Sequence, residues 1–425
     1  MSITRTLKIS LAFVGLLVGA GFATGQEVVQ YFVSFGTAGI WGTVIAGLIM
    51  AAAGAVILQL GSYFLADEHN FVFRNVSHPV MSKILDISVT ATMFAIGFVM
   101  LAGAGANLEQ QFGLPTWIGS AIMLVIVMVT GLMDVDKVSS VISFLTPLII
   151  VAVIAAFAYT MFNLPGDVGT LDNLAQQQNS PVSPWWLSAV NYNGLALMLG
   201  VSMCLVIGGN YYNPKEVGIG GLAGGLLYTV MLVMAGVTLL LNMDKVEGSD
   251  VPMLQLFESI NPFLASVMVW IIFAMIYNTC IGVFYALGKR LTVDNPKRYT
   301  PVFLITCLVG YGVSFVGFET LMTYVYPVIG YVGIVMVATL MVWWVKHRKD
   351  IAAETAVRED IYDLVKRRED PEQDFGSSEK QELQSKLDDS EMDNTEEAIH
   401  REVKNDLDLD EDGADEESVE NSNQS

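Results

Sequence analysis

"GLLVGAGFATGQE", residues 15–27, is the stretch on which the fold turns. It holds four glycines in eleven positions, Gly15, Gly19, Gly21 and Gly25, and a carboxylate follows at Glu27. The apolar run around it, Ile9 to Val29, is long enough to cross a bilayer, which takes about 20 residues. Its middle is nonetheless built to interrupt a helix. Glycines at this spacing also let two membrane helices pack closely. That reading stands beside the first, and it suffices for Gly47 and Gly54 in the next apolar block. Thr24, Gln26 and Glu27 argue for more, because an ionised group within a span is costly and faces a protein interior or a water-filled cavity. A break over Val18 to Ala23 frees backbone amides and carbonyls, which is tolerable only where they line a site. Discontinuous helices that meet at the midplane serve substrate and ion binding in many transporters. The amino end of the outer half-helix would face inward, toward a substrate carboxylate. Glu27, in the first turns of that half-helix, has three open roles: it carries a coupling proton, pairs with a substrate amine, or bonds to a neighbouring helix.

The rest of the chain sets the frame. Of 425 residues, 53% are hydrophobic and 15% charged, but the charge is uneven. Residues 1–349 carry 14 Lys/Arg against 16 Asp/Glu, and residues 350–425 carry 8 against 27, a net of −19. This composition describes an all-α integral membrane domain, 1–345, followed by an acidic, water-exposed tail, 346–425. Ten apolar blocks near 9–31, 40–62, 84–106, 115–133, 140–161, 190–210, 217–241, 262–287, 301–318 and 321–345 predict ten transmembrane helices. The first is too glycine-rich, and too polar at its far end, for a cleaved signal peptide. With the N-terminus cytoplasmic, Arg5, Lys8, Arg74, Lys83, Lys137, Lys215, Lys289, Arg290, Lys297 and Arg298 all fall on inside loops, and the outside loops carry Lys245 alone. Excess positive charge marks the inside. An even number of spans then puts both termini in the cytoplasm, at the plasma (bacterial inner) membrane. Cys204, Cys280 and Cys307 fall within spans and imply no disulfide framework.

Ten spans divide into five plus five, repeat one at about 5–161 and repeat two at about 185–345. An inverted repeat would make the sixth span mirror the first. It reads "NYNGLALMLGVSMCLVIGG", and the break is expected between Leu199 and Ser202, with Asn193 facing either Glu27, the ligand or the surface. In the eighth span, Tyr277, Asn278 and Thr279 sit deep in an apolar run. Thr279 either bonds back to its own helix or completes an oxygen-lined cation site with first-span carbonyls, as a hard cation such as sodium requires.

"GAGFATGQEVVQYFVSFG" at 19–36 resembles the YkvI-type family of bacterial membrane proteins, as do "VNYNGLALMLG" at 190–200, "GLAGGLLYTVMLVM" at 221–234 and "VYPVIGYVGIV" at 325–335. That family is similar to the branched-chain amino acid carriers and to the amino acid–polyamine–organocation superfamily. The resemblance covers roughly residues 5–345. It implies a leucine-transporter-like fold of two inverted five-helix repeats, with broken first and sixth helices. It implies substrate binding at Gly19, Ala20, Gly21, Phe22 and Ala23, with Thr24 beside them, and at Leu199, Gly200 and Val201. Thr279 corresponds to the eighth-span hydroxyl that helps hold sodium in sodium-coupled relatives, near Ala20 and Ala23. Those relatives often carry two adjacent hydroxyl residues where this chain has Asn278-Thr279-Cys280, and Glu27 makes a proton the competing coupling ion.

These features predict a secondary active transporter of a small solute, an amino acid above all. The alternative is a membrane sensor or scaffold that keeps the ligand site without flux. No "GxxxxGK[ST]" motif is present, histidine is absent from every span, and neither an enzyme nor a cofactor is expected. His69 and His78 lie in an inside loop without metal-site spacing, and Asp134 and Asp136 with Lys137 read as a solvated turn. The tail starts with a mixed-charge stretch that can be helical up to Pro371. From Leu407 onward it is acidic, nearly free of aromatics and expected to be disordered. Its charge sign disfavours nucleic acid. The partners expected are the bilayer and a small molecule; oligomeric state is left open.

Overall fold

The computed structural model describes residues 3–133, 145–293, 295–370, 373, 375–392 and 394–407. The expected turn at Asp134, Asp136 and Lys137, the start of the fifth apolar block and the tail beyond Leu407 lie outside these residues. Among the described residues, six helices are long and apolar enough to cross a membrane: Thr37–Tyr63, Pro79–Phe112, Trp185–Gly209, Pro214–Leu241, Pro262–Leu291 and Phe318–Glu369. They form the second, third, sixth, seventh, eighth and tenth spans. The fourth, fifth and ninth are the shorter helices Thr116–Gly131, Leu145–Phe162 and Tyr299–Ser314. The first is interrupted, running as Ile3–Leu17, Ala20–Thr24 and Gln26–Tyr31.

Glycines set how closely the spans approach. A Cβ at Gly208 would lie 2.1 Å from the Leu58 carbonyl, and one at Gly61 would lie 2.2 Å from the Leu205 carbonyl, so the second and sixth spans touch backbone to backbone. Gly220 and Gly224 admit Ile9 and Ser10 of the first span onto the seventh. First on seventh and sixth on second are the contacts that an inverted repeat exchanges. The third and eighth spans also pack on each other, with Asn107 donating to the Val269 carbonyl at 3.0 Å. The short helix His69–Val76 between spans two and three has its counterpart in Pro252–Ile260 between spans seven and eight. Lipid-facing positions stay apolar and exposed, among them Trp41, Leu48, Val129, Trp270 and Val328.

One expectation is corrected. The sixth span is one unbroken helix, Trp185–Gly209, with no break between Leu199 and Ser202. A lone glycine costs a helix only about 1 kcal/mol relative to alanine, and there is no proline to remove an amide. Gly200 instead makes room for Leu16, whose Cδ2 would lie 3.2 Å from an added Cβ. The tenth span runs on past residue 345 through the stretch expected to be helical up to Pro371. Phe318–Glu369 continues for 52 residues, about 78 Å at 1.5 Å per residue, and leaves the apolar layer without interruption. Two further helices, Ser377–Asp389 and Thr395–Asp406, return along it. Ile361, Leu364, Val365, Leu383, Ile399 and Val403 close a small second core with Tyr212 from the sixth-to-seventh corner.

Candidate functional site

The first span is interrupted twice, for different reasons. Its first helix ends at Leu17, and Gly19, extended at φ −89° and ψ −176°, starts the single turn Ala20–Thr24. Gly25 then closes that turn in the left-handed region at φ +79° and starts Gln26–Tyr31. A side chain there would be strained, and its Cβ would meet the Met253 amide at 3.2 Å. Thr24 braces the corner, donating to the Gly21 carbonyl at 2.8 Å and accepting from the Gln26 amide at 3.3 Å. The corner swings Glu27 back over the break. Its carboxylate lies so close to Gly21 that a Cβ there would overlap Oε1 at 1.6 Å. The outer half is therefore two short turns around Gly25 rather than a continuous half-helix. The aligned dipole expected to face a substrate carboxylate is correspondingly weak, since it is a sum over successive peptides.

The break opens on an enclosed cavity of about 40 Å³. At roughly 10–15 Å³ for each ordered water, it holds about three. Gly19, Ala20, Gly21 and Glu27 line it from the break, with Leu16 and Leu17 from the helix before it. The third span adds Ile96 and Met100, the sixth Tyr192, Leu195, Ala196 and Leu199, the eighth Thr279 and the tenth Tyr326. Tyr326 hydrogen-bonds to the Glu27 carboxylate. Tyr192 and Tyr228 share a hydroxyl–hydroxyl bond, and the Tyr31 and Phe32 rings lie 5.5 and 5.0 Å from the Tyr192 ring. Behind them Tyr31 donates to Asn191 Oδ1 at 3.3 Å, and Asn191 Nδ2 donates to the Pro327 carbonyl at 3.0 Å. Among the described residues, no Lys, Arg or His lines the cavity.

The structure thus brings Gly19, Ala20, Gly21, Leu199, Glu27 and Thr279 together. Thr279 also bonds back to the Met275 carbonyl at 3.2 Å. Of the three groups named for sodium, Ala20 and Thr279 share the wall and Ala23 does not. Phe22, Ala23 and Thr24 are buried beside the cavity but outside its lining; Phe22 packs on the Tyr228 ring at 5.7 Å. Gly200, Val201 and Asn278 are also off the wall. Asn193 is buried, donates to the Ala189 carbonyl at 2.9 Å and is absent from the lining. Sequence reasoning missed Tyr192, Tyr326, Met100 and the apolar face of the sixth span. The Tyr326-Pro327 pair inside an apolar block was the available signal.

A second polar cluster lies beyond the spans. His69 accepts from Arg290 at Nε2 and bonds Ser202 Oγ through Nδ1, each at 2.8 Å. Asp86 Oδ1 is 3.4 Å from Nε2 and pairs with Arg290. His69 is thus not isolated from carboxylates as its loop suggested. Burial, reinforced by the Arg290 charge, pushes its imidazole down to about 4. Among the described residues, no group of three or more His, Cys, Asp or Glu is placed to hold a metal ion.

No family model matches the sequence. The chain is 26% identical over 334 residues to the uncharacterized membrane protein YkvI of Bacillus subtilis, covering 79% of this chain and 94% of that protein. It is 25% identical over 343 residues to the uncharacterized protein YyaD of the same organism, covering 79% and 96%. Among solved structures it is similar to MhsT in complex with L-phenylalanine, with a TM-score of 0.59 at 15% identity over 95% of this chain and 98% of that one. It is also similar to Mhp1, a nucleobase-cation-symport-1 family transporter, in a closed conformation with bromovinylhydantoin bound: TM-score 0.52 at 12% identity over 94% and 93%. A manganese transporter of Eremococcus coleocola aligns at TM-score 0.51 and 12% identity, over 95% and 94%. At these identities the likeness establishes the fold: a multi-span helical membrane protein of the leucine-transporter type.

Proposed function

We propose that this chain is a secondary active transporter of a small solute, an amino acid above all, working by ion-coupled alternating access with both termini cytoplasmic. Residues 1–345 are the transport domain in this reading and 346–425 its cytoplasmic extension. One observation carries it: the Glu27 carboxylate faces an enclosed cavity at the break in the first span with no cationic side chain opposite. A bare carboxylate at that depth is costly, and either a proton or a substrate ammonium removes the cost. The unbroken sixth span keeps its carbonyls in helical bonds. An ammonium would look first to Glu27 and the Tyr192 and Tyr326 hydroxyls. A sodium ion would instead look to the Thr279 hydroxyl and the carbonyls near Ala20, which are hard oxygen ligands.

The test is uptake of labelled amino acids into proteoliposomes under sodium and proton gradients imposed separately. Saturable accumulation driven by one gradient supports the reading and identifies the coupling ion. Glu27→Gln is expected to abolish proton-driven accumulation and spare exchange, since an amide cannot cycle a proton. Unchanged proton-driven uptake in that variant would remove Glu27 from coupling. Ligand-dependent thermal stabilisation without flux would replace transport by sensing.

A further inference from the structure

Arg358 lies on the extension of the tenth span and is fully buried. It donates to the carbonyls of Ser62 at 2.8 Å and Tyr63 at 2.7 Å, at the end of the second span, and to that of Tyr212 at 3.3 Å, at the sixth-to-seventh corner. Glu354 pairs with it at 2.6 Å. Nearby, Glu359 accepts from Asn213 at 2.9 Å, and Tyr362 stacks on Tyr212 with ring centroids 4.7 Å apart. These contacts anchor the extension of the tenth span to the second span and the sixth-to-seventh corner, and of these groups Arg358 and Glu354 are shielded from water.

The first span is held differently. Arg5 pairs with Glu402 at 3.0 Å and with Asp406, and it reaches Glu216 of the seventh span at 3.7 Å. The Asp406 side chain is 32% exposed, so this arm of the link is open to screening, while Glu402, at 10%, and the Arg358 anchor are shielded. Between Arg5 and the break runs the half-helix Ile3–Leu17. Ser10 fastens it to the seventh span by donating to the Gly220 carbonyl at 2.8 Å. The far end of that half-helix reaches the cavity, where Leu16 and Leu17 belong to the lining.

We propose that the C-terminal helices are a latch. Docked on Arg5 through Glu402 and Asp406, they hold Ile3–Leu17 against the seventh span and keep the cavity shut on the terminal face. Loss of those ion pairs releases the half-helix while Arg358 keeps the helices attached. The consequence for flux rests on the alternating-access reading; the latch itself does not.

The test follows a cysteine in place of Val14, fully buried on the same half-helix, in the full chain in nanodiscs, with a membrane-impermeant maleimide. Native Cys204, Cys280 and Cys307, all buried, serve as the background. Labelling is expected to be slow, and about five-fold or more faster with Arg5→Gln or with Glu402→Gln plus Asp406→Asn, the low end of typical coupling between sites. Pairing Arg5→Glu with Glu402→Arg should slow it again. Salt of about 1 M, where screening acts within roughly 3 Å, should speed labelling of the chain that keeps Arg5, Glu402 and Asp406. This arm decides the matter even where a charge variant unfolds and exposes the native thiols. Equal labelling rates at low and high salt and across folded variants would overturn the latch. Salt-released labelling without solute flux would keep the latch and reject transport, and flux with invariant labelling would do the reverse.

Discussion

Acidification should loosen this protein through His69, by an amount its surroundings set. Arg290 has only hydrogens to give, so His69 Nε2 must accept and the ring proton must sit on Nδ1, donated to Ser202. A second proton would break the Arg290 bond and place two cations in contact, with Asp86 shared between them and Glu68 close to Arg290. Burial and Arg290 accordingly hold the imidazole near 4, against 6.5 for a free histidine. Between those values the unfolded chain binds the proton and the folded chain does not, so stability falls as pH drops from about 6.5 toward 4. At about 1.4 kcal/mol per unit of difference, the full window is worth about 3 kcal/mol. The side chain is only 8% exposed, so solvent screening removes little of it. The assay is thermal unfolding in detergent at pH 6.5, 5.5 and 4.5 for the wild type and His69→Gln. Carboxylates titrate in both proteins, so the difference in slope isolates His69. The variant should start less stable and lose less on acidification. Parallel slopes would refute the neutral, doubly bonded imidazole.

Other substitutions probe packing and the site. Gly194→Ala puts a Cβ 2.1 Å from the Gly330 carbonyl and 2.8 Å from the Ile334 amide, both backbone, so it should cost at least the upper part of the 1–3 kcal/mol range typical of overpacking (about 3) in a melting assay. Gly19→Ala meets nothing within 4 Å and should leave the melting temperature nearly unchanged, so any loss of ligand response there reports on the site. Tyr326→Phe removes the hydroxyl bonded to Glu27 and should cost about 1–3 kcal/mol while weakening ligand-dependent stabilisation in the same assay. Arg358→Met leaves Glu354 without its buried cationic partner and takes a donor from three carbonyls, of which that of Ser62 keeps the Leu65 amide. About 3–5 kcal/mol of destabilisation is expected, with exposure of the tail helices to protease as the second readout.

The first span could be read from its residues because its determinants are local. Gly19 and Gly25 sit at the two interruptions, and Glu27 is a charge inside an apolar block. The sixth span was inferred by symmetry, and symmetry carried too far: Gly200 at its middle stays helical, where Gly19 and Gly25 interrupt the first. Tyr192 and Tyr326 could not be singled out, because a buried tyrosine in an apolar block looks like core until five spans are assembled around it. The tail misled through its average. Its charge pointed to solvent, yet Ile361, Leu364 and Val365 form a helical stripe, and Arg358 is buried because backbone carbonyls from two other places in the chain converge on it.

The difference between the two central spans has a consequence for how a ligand lies. An inverted repeat with both helices broken would offer backbone polar groups from two sides. Here the sixth span presents Tyr192, Leu195, Ala196 and Leu199, spaced i, i+3, i+4 and i+7 on one face of an intact helix, and its carbonyls stay engaged. Polarity is concentrated across from it, in Glu27 and the backbone of Gly19, Ala20 and Gly21, with Tyr326 and Thr279 at the sides. In the proposed transport reading, a solute entering here would turn its charged end to the first span and its apolar part to the sixth. The left-handed Gly25 corner is what makes that arrangement possible, since without it Glu27 would follow the helix outward instead of folding back over Gly21.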